Sequence, residues 1–376
     1  MNHAFYRLTF VFATLSILVL SCNDSKVPKW SGQIKQIDGT LLIKNPRKPI
    51  YPKAVLSQFE ELTIGYSEEN KEAMFTNIND IAVDSDENIY LLDTKQGLIS
   101  VFNKNGIFQR TIGKRGQGPG EFQYPTQILI SPQQELVVCD LIARRLLFFH
   151  LDGTFKKSIS TWPQGRLTRI LIDSKGNIIG EVLLSGEKRG YSLKKYDPNF
   201  KEIFSIAAKE RLKLPLLEEL SSRIVWTVSE NDDILWGDSD NYEINVLDHN
   251  GTLLRRIQRD HSPEHIIEAD YRDKISGKFG GRPIPLDFDQ ALPNFYPAFR
   301  SIAIDNQGRL LVNTFDKSIN GTGNYLDVFD SEAKYIAKIP LSTESRKWAK
   351  GKLYTTINDE NGFPALKRYG IRWQWD

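Results

Sequence analysis

Residues 81 to 93 read IAVDSDENIYLLD. An apolar run, a turn of Asp, Ser, Glu and Asn, and a second apolar run ending in Asp together read as a β-hairpin. The pattern returns without gaps at residues 128–140 (ILISPQQELVVCD), 226–238 (WTVSENDDILWGD) and 302–314 (IAIDNQGRLLVNT). A looser copy at 170–182 (ILIDSKGNIIGEV) keeps the first half. Such self-similarity marks a repeat architecture.

Each copy is followed by another strand, turn and strand, at residues 99–113, 146–159, 193–206, 244–257 and 326–339. Asn105-Gly106, Asp152-Gly153 and Asn250-Gly251 lie in these turns, where positive φ is tolerated, so tight hairpin turns are expected. Four strands per unit at a period of about 40 to 55 residues predict an all-β fold, a β-propeller. Five blades are explicit. A sixth is split between the chain ends: residues 59–65 (FEELTIG) match 108–113 (FQRTIG) as an outer strand, while 352–356 (KLYTT) and 365–373 (ALKRYGIRW) supply inner ones. Pairing N- and C-terminal strands would close the ring and remove two open edges. The innermost strand of that blade is sought near residues 335 to 342. The propeller is therefore placed over residues 51–376, with 23–50 as a tether and lead-in segment.

Composition fits a single large all-β unit: aromatic residues are 11% of 376 and Met is nearly absent. Lys plus Arg (49) almost cancels Asp plus Glu (47), so charge does not indicate a nucleic-acid partner. At the N-terminus, Arg7 precedes an apolar run, Leu8 to Leu20 (LTFVFATLSILVL), that is short for a mature membrane span and suits a signal peptide. The run ends in Val19-Leu20-Ser21-Cys22, a lipobox-like junction that marks residues 1–22 as a lipoprotein signal peptide and Cys22 as the lipidation site. Cys139 would then be the only thiol left for the body, and within the apolar LVVCD it reads as a buried small hydrophobe.

The chain resembles six-bladed propellers of the NHL-repeat type, and more closely the propeller lipoproteins of Gram-negative envelopes. The motif that carries the likeness is Gly116-x-Gly118-Pro119-Gly120-Glu121-Phe122-x-x-Pro125, which such repeats place between the outer strand of one blade and the inner strand of the next. No P-loop Lys-Ser/Thr follows these glycines and no helix does. They are read as a chain reversal, with Phe122 as an anchor between blades, and not as a phosphate cradle.

Candidate ligand-binding residues lie on the face formed by these linkers. Gln127 and Arg169 occupy the position just before the first strand of their blades, equivalent to Asp80 and Ser301, with Tyr124, Trp162, Arg166 and Arg300 nearby and Lys114 and Arg115 on the glycine loop. A mixed polar and aromatic rim suits a sugar, peptide or protein; equally, such residues keep a channel wet. Asp93, Asp140 and Asp238 share one repeat position and are read as turn caps. His261-Ser262-Pro263-Glu264-His265 fits an inverted zinc-protease pattern, but Ser262-Pro263 reads as the start of a short insertion helix over 263–279, within an insertion of about 258–299. Catalytic, metal and cofactor sites are not assigned. The expected function is that of an exported, lipid-anchored propeller binding an envelope protein, peptide or glycan, with the membrane touched only through the anchor. The alternative is a lactonase-like hydrolase or lyase with a cation in the channel.

Overall fold

The computed structural model describes residues 29–162, 164–184, 189–210, 220–267, 293–317, 324–341 and 347–375. The leader and Cys22 lie outside the described residues. Six four-stranded antiparallel units radiate from a central channel. Blade 1 is β4 (Asp80–Val83), β5 (Ile89–Asp93), β6 (Leu98–Phe102) and β7 (Phe108–Ile112); blade 2 is β8 (Pro125–Ile130), β9 (Leu136–Asp140), β10 (Arg145–Phe149) and β11 (Phe155–Ser160). Blade 3 comprises β12 (Arg166–Ile172), β13 (Ile178–Leu184), β14 (Gly190–Tyr196) and β15 (Glu202–Glu210). Blade 4 comprises β16 (Ile224–Val228), β17 (Ile234–Asp238), β18 (Glu243–Leu247) and β19 (Leu253–Arg259). Blade 5 follows as β20 (Phe299–Ile304), β21 (Leu310–Lys317), β22 (Asn324–Phe329) and β23 (Tyr335–Leu341).

Blade 6 is built from both chain ends. β24 (Lys347–Ala349), β25 (Lys352–Asn358) and β26 (Pro364–Gln374) accept β3 (Val55–Ile64) as their outer strand, in antiparallel register from Leu366↔Ile64 to Gln374↔Val55. Its innermost strand is the three-residue β24. The stretch 335–342, where the repeat pattern sought it, holds β23, the outer strand of blade 5.

The core is divided among the interfaces between blades. Along β5, Tyr90 and Leu92 pack toward blade 2, while Ile89 and Leu91 pack toward blade 6. A strand buried on both faces loses its polar alternation, which explains the continuous apolar runs of β5 and β9. Each of the six interfaces holds one such cluster.

One turn design serves many hairpins. In Asn103–Gly106, the Asn103 side chain accepts from the N–H groups of residues 105 and 107, and only the fourth residue has positive φ. Asn105 therefore stays right-handed, and the connection is a longer bulged turn rather than the two-residue turn that Asn-Gly suggests. Phe200 and Ala333 fill the same left-handed position in blades 3 and 5.

The lead-in segment is structured. β1 (Gln33–Ile37) and β2 (Thr40–Asn45) form a hairpin that adds to blade 4, β2 running parallel to β19. Backbone hydrogen bonds from Ile50 N to Tyr335 O (3.2 Å) and from Tyr51 N to Ile336 O (2.8 Å) then pin the chain to blade 5 before it enters β3. Residues 33–64 thus strap the outer edges of blades 4, 5 and 6. Buried Asn45 locks the strap, its Oδ1 accepting from Tyr335 N (2.7 Å) and Trp30 Nε1 (2.9 Å) and its Nδ2 donating to Ala333 O (3.0 Å).

The expected insertion helix does not begin at Ser262-Pro263. Ile266 N donates to Asn294 O (3.0 Å) and Tyr296 N to Glu264 O (2.9 Å), so the backbone groups a helix would need are taken by a strand-like bridge. Residues 268–279 of that expectation lie outside the described residues. Lys71–Ala73 forms a short 3-10 turn.

Candidate functional site: the channel mouth and the linker face

Because strands alternate in direction, blade-to-blade linkers share one face with the turns between second and third strands. On this face the innermost strands begin, and a register shift falls at the same place in three of them: Pro125/Gln127, Leu167/Arg169 and Phe299/Ser301. Such a bulge re-aims one side chain. Asp80, Gln127, Arg169, Thr227, Ser301, Asn313 and Lys347 line a channel cavity of about 380 Å³, within the usual range for a small-ligand site.

Three of these side chains stitch neighbouring blades. Asp80 Oδ2 accepts from Ile128 N (2.9 Å), and Gln127 both accepts from Ile170 N (2.7 Å) and donates to Ile170 O (2.9 Å). Arg169 Nη1 donates to Trp226 O (2.7 Å), with its guanidinium 4.6 Å from the Trp226 ring. Burial lowers the Arg169 pKa, with Glu181 and Asp80 opposing the shift. Gln127 and Arg169, expected as ligand contacts, do line the cavity, and together with Asp80 they hold blades 1 to 4 in sequence around the channel.

The glycine loop is likewise self-satisfied. Gly118 N donates to Glu121 Oε2 (2.9 Å), Lys114 Nζ lies 3.2 Å from Glu121 Oε1, and Arg115 Nη2 donates to Lys95 O (2.7 Å). The Gly118 N–H is the first cause holding the Glu121 carboxyl below its usual range. The loop carries its own anion. Phe122 is fully buried against Phe149 at 5.8 Å, the anchor the motif predicts. Asp140 takes Gln123 N and Tyr124 N, both at 2.8 Å, and Asp93 takes Thr76 N (2.6 Å) and Asn77 N (3.2 Å). These carboxylates cap incoming linkers, whereas Asp238 caps its own turn, accepting from Asp240 N (3.2 Å), and also faces Lys209.

The exposed residues are the rim aromatics. Trp162 is 64% exposed with the Arg144 guanidinium 4.5 Å from its ring, Tyr124 is 43% exposed, and Ile142 is 58% exposed. Tyr124 O accepts from Leu141 N (3.1 Å) and Arg144 O from Thr161 N (2.8 Å), so backbone hydrogen bonds tie Tyr124 and Arg144 to the top of blade 2, and Trp162 N donates to Ser160 Oγ (3.2 Å). Arg166 is exposed at the start of β12, and Arg300 lies over Phe315 at 4.1 Å on blade 5. Tyr124 and Trp162 thus lie at the same end of blade 2, Tyr124 at the start of its innermost strand and Trp162 after its outermost, with Ile142 and Arg144 in the turn between the two middle strands. Ile142 and Arg144 escaped the sequence reading because the repeat alignment stops at Asp140.

A second polar cluster lies between blades 4 and 5. Buried Asp327 accepts from Tyr242 Oη (2.6 Å) and Tyr335 Oη (2.8 Å) and pairs with Arg259 Nη1 (3.0 Å). Arg259 sits 4.5 Å from the Tyr242 ring and 5.2 Å from that of Tyr335. Asp316 gathers Arg259 (3.8 Å), His261 (3.3 Å) and Lys338. His265, the other half of the zinc-like pattern, stacks on Phe295 instead. Among the described residues no three His, Cys, Asp or Glu side chains are grouped to hold a metal ion.

Residues 68–162, spanning blades 1 and 2, match the DUF5128 family model, described as a 6-bladed beta-propeller. No curated protein matches the chain. Among solved structures, a Bacteroides fragilis protein inferred to be exported is similar at a TM-score of 0.56 and 14% identity, with 88% of this chain and 99% of that one covered. A DUF4221 family member from Bacteroides vulgatus is similar at 0.53 and 10% identity, covering 85% of this chain and 99% of its own. At these identities the likeness is one of fold, and the fold is that of a six-bladed propeller.

Proposed function

We propose that this protein is an exported, lipid-anchored propeller whose linker face binds an envelope protein, peptide or glycan. The observation that carries this reading is the row of Tyr124, Ile142, Arg144 and Trp162 along the linker-face end of blade 2, with Tyr124, Ile142 and Trp162 exposed, beside a channel in which Asp80, Gln127 and Arg169 are committed to blade stitching. Aromatic and Arg side chains held in place lose little freedom on binding and dominate interface energetics. The leader and the Cys22 junction support the address.

The test is binding to peptide and glycan arrays by the wild type and by Trp162→Ala and Tyr124→Ala. Loss of about thirtyfold in affinity is expected for Trp162→Ala; wild-type binding by both variants would exclude this face. Labelling of cells with an alkyne fatty acid tests the anchor separately, with Cys22→Ala expected to abolish incorporation.

A further inference from the structure

The part of the N-terminal strap that precedes β3, with the residues leading into it, differs from the rest of the chain in charge. Residues 29–53 contain six basic side chains and one acidic one, whereas the remainder of the chain carries 43 Lys and Arg against 46 Asp and Glu. All six cations (Lys29, Lys35, Lys44, Arg47, Lys48 and Lys53) are exposed, and none is paired with a carboxylate among the described residues. Elsewhere Lys114, Lys156, Lys194, Lys352 and Lys367 each face one. The strap also exposes apolar side chains. Ile34 is 51% and Ile37 50% exposed on β1, whose five residues are all exposed, and Leu41 on β2 is 41% exposed. From the register, Lys35, Ile37 and Lys44 share one face of the hairpin.

We propose that this strap is a second membrane contact, docking the rim of blades 4 to 6 against anionic lipid head groups; the inference rests on the reading that Cys22 is acylated. Cations attract an anionic leaflet over a Debye length of roughly 10 Å, and Ile37, exposed on the face that carries Lys35 and Lys44, partitions into the head-group boundary. Lys29 is seven residues beyond Cys22, so a fully extended tether holds it within about 25 Å of the acyl chain. Pairing of β1 with a second copy is disfavoured: Lys35 at its centre would oppose another Lys35 in an antiparallel edge-to-edge pair.

The test uses the unacylated chain beginning at Asn23, which contains every strand of the propeller. It is co-sedimented with vesicles of phosphatidylcholine alone and of phosphatidylcholine mixed with phosphatidylglycerol. Binding to the anionic vesicles only, weakened by salt, is expected. Each basic side chain contributes about fivefold, so Lys35→Gln with Lys48→Gln should lose about thirtyfold. Both sites are exposed, so an unchanged melting temperature verifies folding. Equal partitioning onto both vesicle types, or wild-type binding by the double variant, would overturn the inference. So would a concentration-dependent dimer through β1 without lipid discrimination. Fatty-acid labelling at Cys22 reports the anchor independently: acylation without lipid selectivity sinks the strap inference alone, and selectivity without acylation sinks the anchor alone.

Discussion

Gln127 on blade 2 engages both backbone groups of Ile170 on blade 3, accepting from its N–H at 2.7 Å and donating to its carbonyl at 2.9 Å. A carboxamide carries its acceptor and its donor on two separate atoms, so it can meet both groups of one residue at once. Gln127→Ala should cost about 1.5 kcal/mol, with channel water replacing part of the loss, and lower Tm by roughly 2 °C in calorimetry. Gln127→Glu keeps the acceptor but turns a carboxylate toward Ile170 O, so it should be worse than Ala at neutral pH and improve on acidification.

Asp140 is buried and holds two linker N–H groups. In Asp140→Asn one of them meets an NH2 group, at a cost of about 2–3 kcal/mol. Loosening of the linker should also speed tryptic cleavage after Lys114 and Arg115, read by mass spectrometry against the wild type.

Two glycines with similar backbone conformation separate strain from crowding. Gly39, φ +81°, has open space where a Cβ would go, and Gly39→Ala should cost about 1 kcal/mol. Gly113, φ +75°, would place a Cβ 2.1 Å from the Phe122 ring, so Gly113→Ala should cost about 3 kcal/mol or more, measured by urea unfolding.

Asp316 titrates well below the usual carboxylate range: burial opposes ionisation, but hydrogen bonds with His261 and Lys338 and the charges of Lys338 and Arg259 outweigh it. A depressed folded pKa gives stability that is present above the unfolded value of about 3.9 and is lost as pH falls toward the folded value. Asp316→Asn should therefore be less stable by about 2–3 kcal/mol at neutral pH, and the gap should narrow in acid. Burial raises the pKa of Asp327, which pulls the wild-type curve the other way, so the difference between the two melting curves isolates Asp316.

Cys139 packs between blades 2 and 3, with Sγ 3.6 Å from Leu167 O, and burial pushes its thiol up to about 12. Neutral-pH alkylation should fail on the folded protein and go to completion in denaturant.

Hairpins and their turns are local objects, so IAVDSDENIYLLD and its copies determined five blades, the all-β class and the burial of Cys139 without reference to anything distant, and the glycine motif marked Phe122 as an anchor. The sequence by itself also marked Tyr124 and Trp162 as rim residues. Partners remote in the chain were invisible to it. Gln127 reads as a free polar side chain until Ile170, forty-three residues on, is brought beside it. Ser262-Pro263 reads as a helix start until Asn294 and Tyr296 take the backbone groups around it. The three-residue β24 and the strap across blades 4 to 6 carry too little periodicity to announce themselves, because their pairing is set by neighbouring blades already in place. What tertiary structure decided was which polar groups are spent within the ring and which are left to meet a ligand or a membrane.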